Sequence, residues 1–447
     1  MLGKLKVFFM ALCDLLKTVL VNLRFALLES RINVTKKSYF VTFGCIAFAM
    51  LVALCWNYER SVFNKANQAV FITFQSDSES LVIGKLNANH ADIHNPYGLG
   101  LFDENSKVFS PYGSQLGLQG KFFCFLQKFI GHENIVRYSH GFCSLALAVV
   151  VMLICLLLWK KYNLLMSLCF YFVFLLSPWI VNFARNLYWV EFTWFIPMLA
   201  GLFCSCFIRN KVCRIVSYSL AFLAMLIKSL CGYEYVSTIM LGMISFLLVD
   251  FIEALLRKDK VSVCFIAKTG FILGISAFIG FIVALLIHAG IRGNGNIFAG
   301  VKSIYKFDVL RRTLGGNAAD FPDVYAASLN ASIKEVIKVY IIFRTEIIAG
   351  VPLYCLSLIL ILPLFIFYND LKSKKLNSAE VSLYFVLLIT TLSWFILGKA
   401  HSYIHRHMNY VLWYFGFIQI CFYIVVKNLI DFPFILSNRK SANEETV

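Results

Sequence analysis

Long apolar runs recur along this chain from Tyr39 to Val426, and they constrain the fold more than any other feature. A helix needs roughly 20 mainly apolar residues to cross a bilayer. Backbone groups in lipid must bond within the protein, and continuous rather than alternating runs favour helices over a barrel. Only 15% of the residues are charged and 60% are hydrophobic, so the sequence predicts an all-α polytopic membrane protein.

The runs predict about ten transmembrane helices. They cover approximately residues 39–56, 140–159, 163–179, 190–208, 215–232, 237–256, 263–289, 348–368, 381–397 and 410–426. This pattern divides the chain into a cytoplasmic amphipathic segment (1–38), a transmembrane domain (39–426) and a cytoplasmic tail (427–447).

The formal net charge is +17, and the basic residues lie mostly beside the predicted spans. About half of them fall in segments that would share one side of the membrane, which the positive-inside rule assigns to the cytoplasm. Because the charge follows the spans, it disfavours nucleic-acid binding. The cysteines lie mainly within apolar runs, which is typical of small buried residues rather than of disulfides or metal ligands.

Two large segments are predicted on the outer side, at residues 57–138 and 290–347, and both are too long to be simple connectors. Residues 121–130 in the first have the pattern of an amphipathic helix at the membrane surface. In the second, cations such as Arg292, Arg311 and Arg312 accompany Asp320 and Asp323, and each alone is typical of a solvated loop.

The first outer segment places two acids immediately before an apolar stretch. A capping box, in which Ser76 caps a helix and Glu79 reaches back to the backbone, explains Glu79 but not Asp77. Asp77 is the candidate catalytic base, and Glu79 is the second acid of the candidate catalytic pair, while a structural role for both acids stays open.

A short outer turn between the third and fourth predicted spans combines charge and aromatic rings. Its candidate substrate-binding residues are Arg185, Asn186, Tyr188, Trp189 and Glu191. Aromatic rings at a membrane edge usually serve as interface anchors. A cation on the outer side and an acid at a span entrance need a further explanation, which is either a pair between Arg185 and Glu191 or contact with a substrate.

The outer end of the fifth span adds Lys228, Tyr233 and Glu234 as candidate substrate-binding residues. Snorkelling of the lysine to the interface is the alternative explanation for Lys228.

The last outer segment gathers three of the eight histidines beside cations; its candidate residues are His401, His405, Arg406 and His407. Metal ligation, phosphate binding and ordinary interfacial polarity remain open for this cluster. No cofactor is indicated, although a divalent metal stays open.

Together, the acid in a long first outer segment, the surface helix, the Arg-Asn-aromatic turn and the His/Arg-rich final segment resemble the GT-C membrane glycosyltransferases. Among these, the polytopic glucosyltransferases that modify lipopolysaccharide O-antigen are the most similar. The resemblance implies transfer of a sugar, expected to be glucose, from a polyprenyl-phosphate donor to a glycan acceptor on the periplasmic face of a bacterial inner membrane.

The resemblance also implies roles for individual residues. Asp77 would accept the proton of the acceptor hydroxyl, while cations would hold the departing lipid phosphate and aromatic rings would stack on sugar faces. The expected cations are Arg185, Lys228 and Arg406, and the expected rings are Tyr188, Trp189 and Tyr233.

Two alternatives stay open at this point. A transporter or flippase also needs many spans, but its ionisable residues should lie near the middle of the membrane, where Lys268 is the chief example. An O-antigen polymerase or ligase shares large outer segments and basic clusters, and it would take a longer lipid-linked glycan.

Overall fold

The computed structural model of the protein describes residues 21–22, 24–29, 37–63, 78–313, 316–342, 346–352, 356–406 and 408–444. Most of the predicted segment 1–38, together with Asp77 and His407, lies outside these residues.

Helices account for most of the described chain, in agreement with the predicted class. The first nine are α1 Lys37–Arg60, α2 Ser80–His90, α3 Leu118–Ile130, α4 Ile135–Lys161, α5 Leu164–Leu176, α6 Pro178–Ala184, α7 Phe192–Cys206, α8 Lys211–Cys231 and α9 Val236–Leu256. They are followed by α10 Lys260–Arg292, α11 Ile297–Ile304, α12 Leu310–Arg312, α13 Asp323–Asn330, α14 Ile333–Ile342, α15 Leu356–Lys372, α16 Ser378–Leu397, α17 Lys399–Ile404 and α18 Phe417–Glu444.

Five of the described helices are long and apolar enough to cross a membrane. These are α4, α8, α9, α10 and α16, and the bent pair α5–α6 would make a sixth. Helix α7 is apolar but has only 15 residues. The structure therefore supports an all-α membrane protein, while the total of about ten spans remains a prediction.

The third predicted span, 163–179, is not one straight helix. Helices α5 and α6 meet at an angle of 65°. Pro178 disfavours helical geometry at Ser177, whose backbone is extended, and the Ser177 hydroxyl accepts a hydrogen bond from the Ile180 amide to start α6. Helix α6 therefore leaves the axis of α5 by 65°, and the Arg-Asn-aromatic turn follows α6 in this new direction.

The last helix also differs from its predicted bounds of 410–426. It begins at Phe417, after a 3-10 turn at Asn409–Tyr414, and continues to Glu444, so helix covers most of the predicted tail.

The described part of the predicted outer segment 57–138 forms a small layer on the end of the helices. It contains α2, an antiparallel hairpin of β1 (Gly100–Asp103) and β2 (Val108–Pro111), and α3. A Cβ atom on Gly120 would lie 1.7 Å from the Gly98 carbonyl oxygen, so glycine permits this close approach of α3 to the chain before the hairpin.

Helix α3 matches the predicted surface helix in position, and three phenylalanines, Phe122, Phe125 and Phe129, are exposed along it. A second short hairpin, β3 (Glu346–Ile348) with β4 (Val351–Pro352), follows α14.

Candidate functional site

The turn between α6 and α7 is held from within by Asn186. Its side-chain Oδ1 accepts hydrogen bonds from the backbone amides of Tyr188 at 2.9 Å and Trp189 at 3.2 Å. Asn186 is fully buried, so its position fits a structural role in shaping the turn.

Glu79 ties this turn to two other elements. Its Oε1 accepts a hydrogen bond from the Leu187 amide at 2.9 Å and lies 2.9 Å from Nε2 of His140 on α4. Helix α2 begins at Ser80, and the Glu79 side chain makes no capping hydrogen bond. These tertiary contacts give the Glu79 carboxylate a structural role, whereas Ser76, its partner in the capping-box explanation, lies outside the described residues.

Arg185 pairs with Glu59 at the end of α1. Its Nη1 donates to the Glu59 carbonyl oxygen at 2.9 Å and lies 3.8 Å from the Glu59 carboxylate, which also accepts from Ser144. Burial lowers the pKa of Arg185, an effect that Glu59 opposes. The carboxylate partner found for Arg185 is thus Glu59 rather than Glu191.

Glu191 is fully buried at the start of α7. Among the described residues, neither of its carboxyl oxygens has a hydrogen-bond partner. Its predicted contact with substrate stays a prediction.

A polar cluster forms on the other side of the same turn. With its amide oriented to suit both neighbours, Gln115 donates to the Glu234 carboxylate at 3.2 and 3.3 Å and accepts from the Tyr188 hydroxyl at 2.8 Å. Burial, reinforced by Glu234, raises the pKa of Tyr188 well above its usual value, so this hydroxyl stays protonated and can donate.

Arg312 brings the second outer segment into this cluster. Its Nη2 lies 3.5 Å from the Tyr112 hydroxyl. Burial alone would lower the pKa of Arg312. The nearby Glu234, Tyr112 and Asp308 outweigh this effect and raise the pKa above its usual value, so the guanidinium remains cationic. The sequence predicts a solvated loop here, and that prediction is wrong for Arg312.

A cavity of about 220 Å³ opens beside Arg312 and Glu234. Its apolar walls are Val236, Phe281, Leu285, Ile304, Val309 and Trp394. Its remaining lining residues are Tyr233, Glu234, Asp308, Arg312 and Thr313. Apolar walls with a few charged groups are typical of a site for a ligand that has both an apolar and a charged part.

Asp308 is fixed from outside the cavity by Arg292, whose Nη1 lies 2.6 Å from Asp308 Oδ2 and also donates to the Gly113 carbonyl. The Nε2–H of His288 donates to the same Gly113 carbonyl at 3.1 Å. In this tautomer Nδ1 carries no proton, so it accepts a hydrogen bond from the Tyr233 hydroxyl, also at 3.1 Å. Burial, reinforced by Asp308, raises the pKa of Tyr233.

Two predicted cations lie away from this cavity lining. Lys228 is only 2% exposed and donates to the Gly232 carbonyl at 2.6 Å, so it caps the end of α8 instead of snorkelling to solvent. Arg406 donates to the Tyr403 carbonyl and stacks over the Tyr403 ring at 4.7 Å.

The histidine segment contacts the cavity indirectly, through Trp394. His401 is buried, with its ring packed against Tyr235 and Trp394, and Trp394 lines the cavity. The His405 ring centroid lies 4.5 Å from that of His401. Within the described residues, no group of three or more His, Cys, Asp or Glu side chains could hold a metal ion.

The site thus joins parts of the chain that the sequence predicts separately. Of the predicted residues, Tyr188 and Glu234 are bridged by Gln115, and Tyr233 lines the same cavity as Glu234. The sequence patterns do not predict Gln115, Asp308 and Arg312 as site residues. Comparisons with protein-family models, curated proteins and solved structures find no match to this chain.

Proposed function

We propose that this protein is a membrane glycosyltransferase that moves a sugar from a polyprenyl-phosphate donor to a glycan acceptor on the periplasmic face of a bacterial inner membrane. The observation that carries the proposal is the apolar-walled cavity that brings Arg312 next to Glu234. Transfer from a lipid-linked sugar phosphate needs an apolar surface for the lipid, a cation for the phosphate and a proton acceptor for the attacking hydroxyl.

Arg312 is the cation of the cavity lining that can contact a phosphate. The Asp308 carboxylate lies 2.6 Å from Arg292 and 3.9 Å from Arg311, so it is already paired outside the cavity, and the other carboxylate of the lining is Glu234. A guanidinium in a partly apolar site binds phosphate oxygens strongly, because its hydrogen bonds are charge-assisted and little water competes. Arg312 is therefore assigned to the departing phosphate.

Glu234 is assigned as a base alongside the sequence candidate, Asp77. The carboxylate would accept the proton of the acceptor hydroxyl while the hydroxyl oxygen bonds to the sugar carbon and the carbon–oxygen bond to phosphate breaks. The cavity of about 220 Å³ is smaller than typical ligand pockets of roughly 300–1,000 Å³, so it would hold the reacting part of the donor rather than its whole tail.

The test uses purified protein in lipid nanodiscs with polyprenyl-phosphate glucose and a candidate acceptor glycan, and it detects the product by mass spectrometry. Arg312→Leu should lower kcat/KM by about 100-fold, the size expected when a charge-stabilising group is lost. Lys302→Leu, which removes an exposed cation of the same segment, should leave the rate unchanged.

Full activity in Arg312→Leu would contradict the assignment of this site, as would equal losses in both variants. Comparing Glu234→Gln with Asp77→Asn identifies the base, because only the base variant should lose transfer while donor binding persists. A folded wild type that transfers no sugar from any polyprenyl-phosphate donor would contradict the proposed activity. Transfer of only preassembled glycan chains would instead indicate the polymerase or ligase alternative.

A further inference from the structure

A second cavity, of about 480 Å³, lies at the opposite end of the helices. Helix α9 connects the two, since Val236 lines the first cavity and Asp250 lines the second. At 1.5 Å per residue these positions are about 20 Å apart. The sequence places the end that carries Lys161 and Arg257 on the cytoplasmic side.

Three polar side chains of this second cavity hydrogen-bond to one another. Lys161 Nζ lies 2.7 and 3.0 Å from the two Asp250 carboxylate oxygens, and the Ser205 hydroxyl donates to Asp250 at 2.5 Å. These three side chains pair with one another, so the recognition groups must lie elsewhere in the lining.

Two other polar atoms of the lining are left over. Glu253 Oε1 and the Tyr162 hydroxyl are buried, and neither has a hydrogen-bond partner among the described residues. Buried polar atoms are nearly always paired, so an acceptor and a donor left over in one cavity point to a polar ligand. Arg257 lies 3.5 Å from the other Glu253 oxygen, and its side chain is 76% exposed.

The charges select the kind of ligand. The acids Asp250, Glu253 and Asp259 outnumber the two cations of the lining, Lys161 and Arg257. This balance disfavours a purely anionic lipid and favours a ligand that carries a positive group.

The lining also contains apolar side chains, Ile208, Val249 and Ile266. Ile266 belongs to α10, a candidate membrane span in which only 22% of the apolar window is buried within the protein. An amphipathic ligand could therefore enter from the lipid phase along this helix.

We propose that this cavity binds the head group of a phospholipid that carries both a primary ammonium and a phosphate, as phosphatidylethanolamine does. Glu253 Oε1 accepts a hydrogen bond from the ammonium, while Arg257 and the Tyr162 hydroxyl donate to phosphate oxygens. Glu253 and Arg257 are one helical turn apart, about 5–6 Å, which a two-carbon linker between amine and phosphate can match.

The proposal does not depend on the transferase function, so its test needs no sugar donor. Delipidated protein in detergent is titrated with phosphatidylethanolamine, its mono-, di- and trimethylated forms, and phosphatidylglycerol, and binding is measured by native mass spectrometry. The ethanolamine lipid should bind about tenfold more tightly than the trimethylated form or the glycerol lipid, the effect of one charge-assisted hydrogen bond.

Glu253→Gln should remove this preference, whereas Glu104→Gln, at an exposed acid of the outer hairpin, should retain it. Equal affinity for the ethanolamine and trimethylated lipids would overturn the proposal, as would a preference that survives in folded Glu253→Gln. If the Glu253 variant does not fold, the comparison of the ethanolamine lipid with its methylated forms on the wild type still tests the proposal.

Discussion

Glu79 illustrates at the residue scale how an acid in a predicted catalytic pair can also hold the fold together. Only 4% of the residue is exposed, and its Oε1 meets both Leu187 and His140. Removing the carboxylate would leave the buried Leu187 amide without this acceptor and His140 without this partner.

We therefore expect Glu79→Ala to lower the free energy of unfolding by about 2 kcal/mol, because a buried donor left unpaired costs about that much. Chemical unfolding in detergent measures this loss. Glu104→Ala removes an exposed acid and should change stability by less than about 0.5 kcal/mol. Equal stability of the two variants would contradict a structural role for Glu79.

His132 offers a pH-dependent contact in the first outer segment. The Gln127 amide donates to His132 Nδ1 at 2.7 Å and also to the Leu86 carbonyl, while its oxygen accepts from Asn89. Since these contacts fix the amide, Nδ1 must be unprotonated. Burial and the stacked ring of His90 lower the pKa of His132.

A histidine with a lowered pKa takes up its proton more readily in the unfolded chain, so stability should fall as the pH drops below about 6.5. We expect the melting temperature of the wild type to fall between pH 7.5 and pH 5.5, and to fall less in His132→Gln. Differential scanning fluorimetry measures both curves. Parallel curves would show that His132 does not contribute to the pH dependence.

Sequence patterns identified several residues of the site but not the way they meet. Tyr188 and Glu234 stand out locally because they lie beside apolar runs. Arg312 belongs to a long outer segment whose packing depends on contacts far along the chain, such as the one with Tyr112. Local composition therefore made Arg312 indistinguishable from a solvated cation.

At the scale of elements, apolar runs predicted the helices well because burial in lipid requires continuous apolar surface. Breaks within the helices and short strands between them are harder to predict from the sequence. The Ser177-Pro178 pair carries a local signal for the break between α5 and α6, whereas the four-residue strands of the first hairpin are too short for a clear alternation.

The packing of α7 on α9 depends on a glycine. A Cβ atom at Gly201 would lie 1.6 Å from the Met243 carbonyl oxygen, so Gly201→Ala must push the two helices apart. We expect a loss of about 1–3 kcal/mol, measured as the free energy of unfolding in detergent, because overpacking forces the backbone to shift.

Gly274→Ala is the matched control, since a Cβ atom there meets nothing within 4 Å. It should be neutral or slightly stabilising, because alanine favours a helix. A loss at Gly274 as large as at Gly201 would show that helical glycines act through something other than this contact.

At the scale of the whole molecule, the two ends of the helices differ in chemistry. One end carries the hairpin, the surface helix α3 and the cavity with Arg312, and the other carries the cavity with Lys161 and Arg257. The sequence predicts which end is which from the basic residues of the inner loops, such as Arg257 and Lys258.

This orientation can be tested by cysteine labelling in right-side-out membrane vesicles. Asn105→Cys places a thiol in the exposed turn of the outer hairpin, and Lys258→Cys places one in the exposed turn between α9 and α10. A membrane-impermeant maleimide should label Asn105→Cys in sealed vesicles and Lys258→Cys only after permeabilisation, with wild-type labelling subtracted as background. The opposite pattern would place the Arg312 cavity on the cytoplasmic side, where a periplasmic transferase could not use it.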